Sequence, residues 1–242
     1  MVSKKEIAKS NYVPQREIEL NFLTQLSLKH PNAVLAGVDE VGRGALAGPV
    51  SVGIALIDAT VSDSFPEKLR DSKQISPRVR ESLVMPCKNW VLASAVGNAS
   101  VEIINKYGII AGLRFAAADA VMKLAKLDFR IDGVLLDGSH NWWNANSLFD
   151  SAPTLPDVPV KTVVKADAQC AVVAAASVLA KVRRDEYMVD LSDEFPQYDW
   201  VHNKGYSSKK HIAALKQFGP SKWHRTAWKL PGVAERSDAE NK

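Results

Sequence analysis

Two adjacent carboxylates at the end of an apolar run constrain this chain more than any other feature. Ala33 to Val38 reads as the start of a buried strand, and Asp39-Glu40 interrupts it. Carboxylates in a core strand are costly unless they are paired or hold a metal. Gly42, Arg43 and Gly44 follow at once, and then Gly48, so the backbone there is suited to turning and to close approach. Acids in a strand beside a basic, glycine-rich turn point to a divalent cation next to a phosphate.

The remaining strands and helices can be placed around that stretch. Arg16 to Lys29 carries a helical apolar stripe that ends at His30-Pro31-Asn32, after polar and loosely held residues 1–15. Val34–Val41 and Pro49–Asp58 read as strands, and their short connection implies an antiparallel hairpin. Ser76-Pro77 starts a helix that runs to about Met85, with Ser as N-cap and Pro at the first position. A strand is expected over Trp90–Val96. A helical region then runs from the cap Ser100 to about Leu127, broken at Gly108. Short strands follow at Ile131–Leu136 and Val158–Val164, and an Ala-rich helix at about Gln169–Leu191. This order predicts an α/β fold with a mixed sheet covered on both faces. The tail from Ala234 to Lys242 is polar and is expected to be disordered.

With 242 residues the chain suffices for one large domain, or for a domain with a helical appendage. Its net charge of +4 permits a polyanionic partner without demanding one. Two cysteines, Cys87 and Cys170, provide no disulfide framework and fit a reducing cytosol. The first residues have no apolar signal region, and the apolar run Ala171–Ala180 is too short to span a bilayer.

Four acids stand at strand ends or just beyond them: Asp39, Glu40, Asp137 and Asp167. Such positions can face one crevice at a sheet edge. Hard oxygen ligands suit Mg²⁺ or Mn²⁺, and a pair of such ions activates water and stabilises the leaving oxygen of a phosphodiester. Neighbours on a regular strand point to opposite faces, so Asp39 and Glu40 are expected to share a metal through a bend assisted by Gly42 and Gly44. Taken singly, each acid has a structural alternative. Asp167 suits an N-cap, Asp137 before Gly138 a turn, and Glu40 a solvent-facing position.

Gly42-x-Gly44-x-x-Ala47 superficially matches a dinucleotide fingerprint, but Pro49 and a strand follow where that motif needs a helix. The turn serves better as a cradle for a sugar, with Arg43 on a phosphate. In Asp71-Ser72-Lys73, Lys73 suits a phosphate, with a plain turn as the alternative. From Val201 to Leu230 there are seven Lys or Arg residues, no acid, and the aromatics Tyr206, Trp223 and Trp228. That combination suits a surface that tracks a nucleic-acid backbone. His202, His211 and His224 add to it, whereas Ser177 among alanines suits close helix packing.

The motifs Val38-Asp39-Glu40-Val41-Gly42-Arg43-Gly44, Asp71-Ser72-Lys73, Leu136-Asp137-Gly138, Lys165-Ala166-Asp167, Lys204-Gly205-Tyr206 and His224-Arg225 occur in the order seen in type 2 ribonucleases H. Ala174-Ala175-Ala176-Ser177, Arg184-Asp185 and Gly219-Pro220-Ser221 belong to the same series, and the match runs from about Val34 to Arg225. The chain resembles a bacterial ribonuclease HII. The resemblance implies a ribonuclease H-like five-stranded mixed sheet flanked by helices over residues 16–192. A C-terminal helical substrate-binding extension (193–230) and a polar tail (231–242) would follow.

The resemblance also implies hydrolysis of RNA in RNA–DNA hybrids and incision 5′ of single ribonucleotides in duplex DNA, leaving 3′-hydroxyl and 5′-phosphate ends. It further implies a role in ribonucleotide excision repair and a cytoplasmic monomer with no membrane partner. Asp39, Glu40, Asp137 and Asp167 would be the catalytic acids holding two Mn²⁺ or Mg²⁺ ions. Gly42, Arg43 and Gly44 would read the 2′-hydroxyl. Tyr206 would stack on the following sugar, and Ser72, Lys73 and Lys204 would hold substrate. Two departures stand out: Ala166 where the family usually has Gly, and a longer loop at Ser139–Pro159 containing Trp142 and Trp143. The rival readings are another metal-dependent nuclease of the same fold and a non-catalytic nucleic-acid-binding module.

Overall fold

The computed structural model describes residues 13–144 and 153–233. The expected disordered tail and most of the N-terminal segment lie outside these residues. Five strands form one sheet: β1 (Leu35–Val41), β2 (Val50–Ile57), β3 (Ala93–Ala99), β4 (Gly133–Asp137) and β5 (Val160–Val163), in the spatial order β3-β2-β1-β4-β5. The β1–β2 and β2–β3 pairs are antiparallel, and β1–β4 and β4–β5 are parallel. The helices are α1 (Glu17–Ser27), α2 (Pro77–Trp90), α3 (Val101–Ala125), α4 (Ala166–Gln169), α5 (Ala171–Glu194), α6 (Trp200–Asn203) and α7 (Lys209–Phe218). No helix among the described residues is long and apolar enough to cross a membrane.

Strand alternation divides the core. Leu35, Ala55, Ile57 and Leu135 pack with α1, α2 and α5, whereas Ala36, Val38, Val52, Ile54, Val134 and Leu136 pack with α3. Gly53 of β2 also lies on the α5 side, and a Cβ there would stand 2.3 Å from the Ala176 carbonyl oxygen. Only glycine lets α5 approach so near, and that approach brings Ser177 to the level of Asp39, which pairs with Gly53 across β1–β2.

Helix α5 has no capping side chain of its own. Glu19 of α1, fully buried, supplies one by accepting the Val172 amide at 2.8 Å, and it is itself paired with Arg16 at 2.8 Å. The Gln15 carbonyl accepts the Ala171 amide at 3.1 Å, so the chain near residue 15 is held rather than loose.

Several boundaries differ from the sequence expectation. Helix α2 continues through Pro86 to Trp90, because the fully buried Cys87 and the neighbouring core hold its last turn in place. Strand β3 accordingly starts later, at Ala93. Helix α3 has its break at Gly108, where φ is 81°. The expected boundary after residue 192 falls within the last turn of α5. Trp142 and Trp143, in the longer loop whose role the sequence left open, are each only 1% exposed and complete the α3-side core. Arg114 of α3 ties that loop by donating to the carbonyls of Trp143 and Pro153.

A third core lies beyond α5, built from Ala47, Met188, Tyr198, Trp200, Ala214, Leu215 and Leu230. His211 and His224 are sealed within it rather than added to a basic surface. Burial pushes both imidazoles down, His224 to about 4, with His211 alongside as a further cause. A folded-state value below the unfolded 6.5 means that the unfolded chain binds the proton more readily. Stability is therefore full above pH 6.5 and is lost as pH falls toward 4. Chemical denaturation across that window should show a decline on the order of 3 kcal/mol for His224, flattened in His224→Gln.

Candidate active site

Strand β1 carries Asp39 and Glu40 in an unbroken ladder with β2, with Asp39 opposite Gly53 and Glu40 opposite Val52. The expected bend between the two acids is absent, because the antiparallel ladder holds the strand regular through Val41. By alternation Asp39 falls on the α5 face, with Asp137 at the end of the neighbouring β4 on the same face. Asp167 lies in the short helix α4 and is buried. It is not the N-cap of the Ala-rich helix α5, where Cys170 holds that position.

These acids act on one another electrostatically. Burial drives the Asp39 carboxyl well above the usual range, and Asp137, Glu40 and Asp167 push it the same way, while a hydrogen bond from Ser177 opposes them. Asp167 is raised to about 6, first by burial and then by Asp137. Burial also raises Glu40, against the pull of Arg43. A group of desolvated carboxylates with so little compensating charge is disfavoured without a cation.

Each acid has a partner in the structure. Arg43 Nη1 lies 3.1 Å from Glu40 Oε1, and Lys73 Nζ lies 3.5 Å from Asp167 Oδ2. The Ala166 amide donates to Asp137 Oδ1 at 2.6 Å, and the Glu40 amide to Asp39 Oδ1 at 2.8 Å. Alanine at position 166 thus keeps its amide on an acid. Among the described residues no three His, Cys, Asp or Glu side chains are already arranged to hold a metal ion. Glu40 Oε2 is nevertheless buried with no hydrogen-bond partner. That orphaned oxygen, together with an all-carboxylate donor set, fits a hard divalent cation.

The glycine turn is held from below by two arginines. Arg184 of α5, fully buried, donates to the carbonyls of Pro49 at 2.9 Å, Lys204 at 2.9 Å and Ala47 at 3.2 Å. Arg225 donates to Gly48 and Arg43 carbonyls, at 3.0 and 2.9 Å. Gly42 sits at φ 83°, and a Cβ there would come within 2.0 Å of Arg184 Nε. Gly44 is different: its φ lies outside the left-handed region, and a Cβ would meet nothing within 4 Å. The chain's own packing does not require glycine at 44.

Tyr206 joins this assembly. Its hydroxyl accepts the Gly42 amide at 3.0 Å, and its ring lies under the Arg184 guanidinium, 5.4 Å from the centroid. Lys73 is exposed beside the acids. Burial would lower the Lys73 amine, but Asp39 and Asp167 outweigh it and hold the amine above its usual range. Ser72 and Lys204 are placed otherwise than expected. The Ser72 hydroxyl is buried and bonded to Ser177 Oγ at 2.9 Å, because the Arg80 guanidinium draws the Ser72 carbonyl against α2. The Lys204 amine folds onto the Val201 carbonyl, while its own carbonyl serves Arg184. Trp223 and Trp228 are half-buried rather than open stacking platforms, Trp223 against Tyr187 and Trp228 against Arg225.

The supporting roles of Arg184, Arg225, Ser177 and the two histidines were not assigned from the sequence. The available signal was helical spacing. Val173, Ser177, Ala180, Arg184 and Met188 fall on one stripe of α5, and an arginine on an apolar stripe must find buried acceptors.

The family model for ribonuclease HII matches residues 36–231. A ribonuclease HII of Streptomyces avermitilis is 43% identical over 195 residues, covering 81% of this chain and 76% of that one. One of Roseobacter denitrificans is 40% identical over 199 residues, covering 81% and 89%. The crystal structure of ribonuclease H2 from Pyrococcus horikoshii OT3 superposes with a TM-score of 0.62 at 26% identity, covering 82% of this chain and 95% of that one. With a mixed five-stranded sheet, flanking helices and a match of this extent, the chain belongs to the ribonuclease HII family and is a ribonuclease H, an enzyme of RNA–DNA hybrids.

Proposed function

We propose that this ribonuclease H incises duplex DNA on the 5′ side of a single embedded ribonucleotide, as well as cutting the RNA strand of longer hybrids. Its products would be 3′-hydroxyl and 5′-phosphate ends. The observation that carries this reading is the pairing of a desolvated acid group with a turn left open at Gly44. A glycine that the protein does not need for its own packing leaves room for a sugar against the backbone, where a 2′-hydroxyl distinguishes RNA from DNA.

In this reading Asp39, Glu40, Asp137 and Asp167 hold two Mg²⁺ or Mn²⁺ ions, which supply a nucleophile at neutral pH and stabilise the leaving oxygen. The protein's part is placement. The Glu40 amide keeps Asp39 oriented through its hydrogen bond, and the Ala166 amide does the same for Asp137. Backbone groups of Gly42, Arg43 and Gly44 receive the ribose. Arg43 and Lys73, now paired with Glu40 and Asp167, are within reach of phosphates once those acids are otherwise engaged. Tyr206 offers its ring to the next sugar. We expect the enzyme to work as a cytoplasmic monomer.

The deciding experiment compares a duplex with one ribonucleotide against the all-DNA duplex, with Mg²⁺ or Mn²⁺ and with EDTA. Metal-dependent incision of the first alone, 5′ to the ribonucleotide, is expected. Cleavage of both duplexes would favour a nuclease that ignores the 2′-hydroxyl, and binding without cleavage would favour a binding module.

Asp39→Asn should lower the cleavage rate by about 10³-fold, roughly 4 kcal/mol of transition-state stabilisation, with substrate affinity within about threefold. Full activity in that variant would remove Asp39 from the site. Gly44→Ala should leave the unfolding temperature unchanged, because no atom meets the new methyl group, yet depress kcat/KM on the ribonucleotide substrate. A variant as active as the parent would show that Gly44 does not face the sugar.

A further inference from the structure

His211 and His224 face each other in the third core, with Nε2 to Nε2 at 3.0 Å. Their surroundings determine both tautomers. The Tyr206 carbonyl lies 2.9 Å from His211 Nδ1 and can only accept, so Nδ1 carries the hydrogen. The Trp200 indole lies 3.3 Å from His211 Nε2 and can only donate, so Nε2 is an acceptor. His224 Nε2 must then donate to it. His224 Nδ1 is left as the acceptor of the Ser221 amide at 2.9 Å, with the Ser221 hydroxyl also 2.9 Å away. Every polar atom of the two rings is used once both are neutral, and a proton added at either free position would confront a donor.

The donors of this chain all point the same way. It starts at Ser221, crosses two imidazoles and ends on the backbone of Tyr206, whose hydroxyl accepts the Gly42 amide at 3.0 Å. The same segment bonds to the far side of the turn: the Trp223 carbonyl accepts the Gly48 amide at 2.8 Å, and the Arg225 amide donates to Leu46 at 2.9 Å. Ser208, the N-cap of α7, also donates to the Tyr206 carbonyl, at 2.9 Å. That bond is local; the Gly205 carbonyl ties the preceding residue to the near side of the turn through the Leu46 amide at 2.8 Å, and the imidazole pair adds a link from Tyr206 to the segment that grips the far side.

We propose that His211 and His224 are positioning residues for the ribonuclease reaction, a neutral imidazole pair that sets Tyr206 in register with the glycine turn. The proposal rests on the reading of Tyr206 as the residue that stacks on substrate. It assigns the pair no proton transfer and no contact with the nucleic acid. An apolar side chain at 211 would leave the Tyr206 carbonyl without its ring donor and the Trp200 indole without its acceptor. Asparagine at 211 keeps an N–H close to the position of Nδ1, and glutamine at 224 keeps one close to Nε2.

The test is steady-state incision of a duplex containing one ribonucleotide, by His211→Leu, His211→Asn, His224→Leu and His224→Gln. Each variant is assayed with Tyr206 present and with Tyr206→Ala, and thermal unfolding is followed in parallel. His211→Leu should lower kcat/KM by about tenfold, His211→Asn should recover to within about threefold, and the leucine effect should vanish in the Tyr206→Ala background. If His211→Leu fails to fold, the His224 pair supplies the same comparison, with Gln active and Leu impaired. Losses at 211 and 206 that multiply would overturn the proposal, because the histidine would then act elsewhere. So would a His211→Leu enzyme with unaltered kinetics. Tyr206→Ala with full activity would instead defeat the stacking reading itself, and the positioning role with it.

Discussion

The site depends on a guanidinium buried without a carboxylate. Arg184 reaches from α5 into the gap beneath the glycine turn and satisfies itself on three main-chain carbonyls from two separate segments. A fully desolvated arginine is tolerated only when its donors are used, so its presence obliges those carbonyls to stay where they are. Two of them belong to the stretch that joins β1 to β2, and the third to the loop that presents Tyr206. One side chain therefore couples the turn to the aromatic ring. Arg225 repeats the device from the C-terminal side, through Gly48 and Arg43.

This arrangement is possible because α5 lies so close to the sheet. Glycine at 53 admits the helix backbone, and the small residues Ala174, Ala175, Ala176 and Ser177 keep that contact tight. Glu19, borrowed from α1, satisfies the start of the helix. The same close approach carries Ser177 to Asp39 and Ser72 to Ser177. The acid group at the sheet edge and the turn beside it are thus two outcomes of one packing decision. Main-chain groups of Gly205, Trp223 and Arg225, beside the third core, then hold the turn from the outside.

The acids themselves sit in an electrostatically uncomfortable state. Burial raises Asp39, Glu40 and Asp167, and their mutual repulsion adds to it for Asp39 and Asp167. Arg43 and Lys73 relieve part of this by turning inward onto Glu40 and Asp167. Such a site favours whatever brings positive charge to it, which is the physical basis for metal and phosphate chemistry at one place.

Much of this was legible in the sequence. Apolar runs, capping serines and glycine breaks located the strands and helices, because strand and helix periodicity are local properties. Strand-end acids and the Gly-Arg-Gly turn stood out, because charge in an apolar strand contradicts its surroundings. What the sequence could not decide was direction. Ser72, Lys204, Trp142, Trp143, His211 and His224 are polar or amphipathic residues whose orientation depends on which distant carbonyl, hydroxyl or ring lies opposite. Ser72 turned to Ser177, 105 residues away, and the tryptophans turned into the core beneath α3. The sequence by itself determined which residue types could do chemistry and where the chain would bend. Only the tertiary structure decided which of them face the crevice and which brace it, because that choice is made by hydrogen-bond partners brought together from opposite ends of the chain.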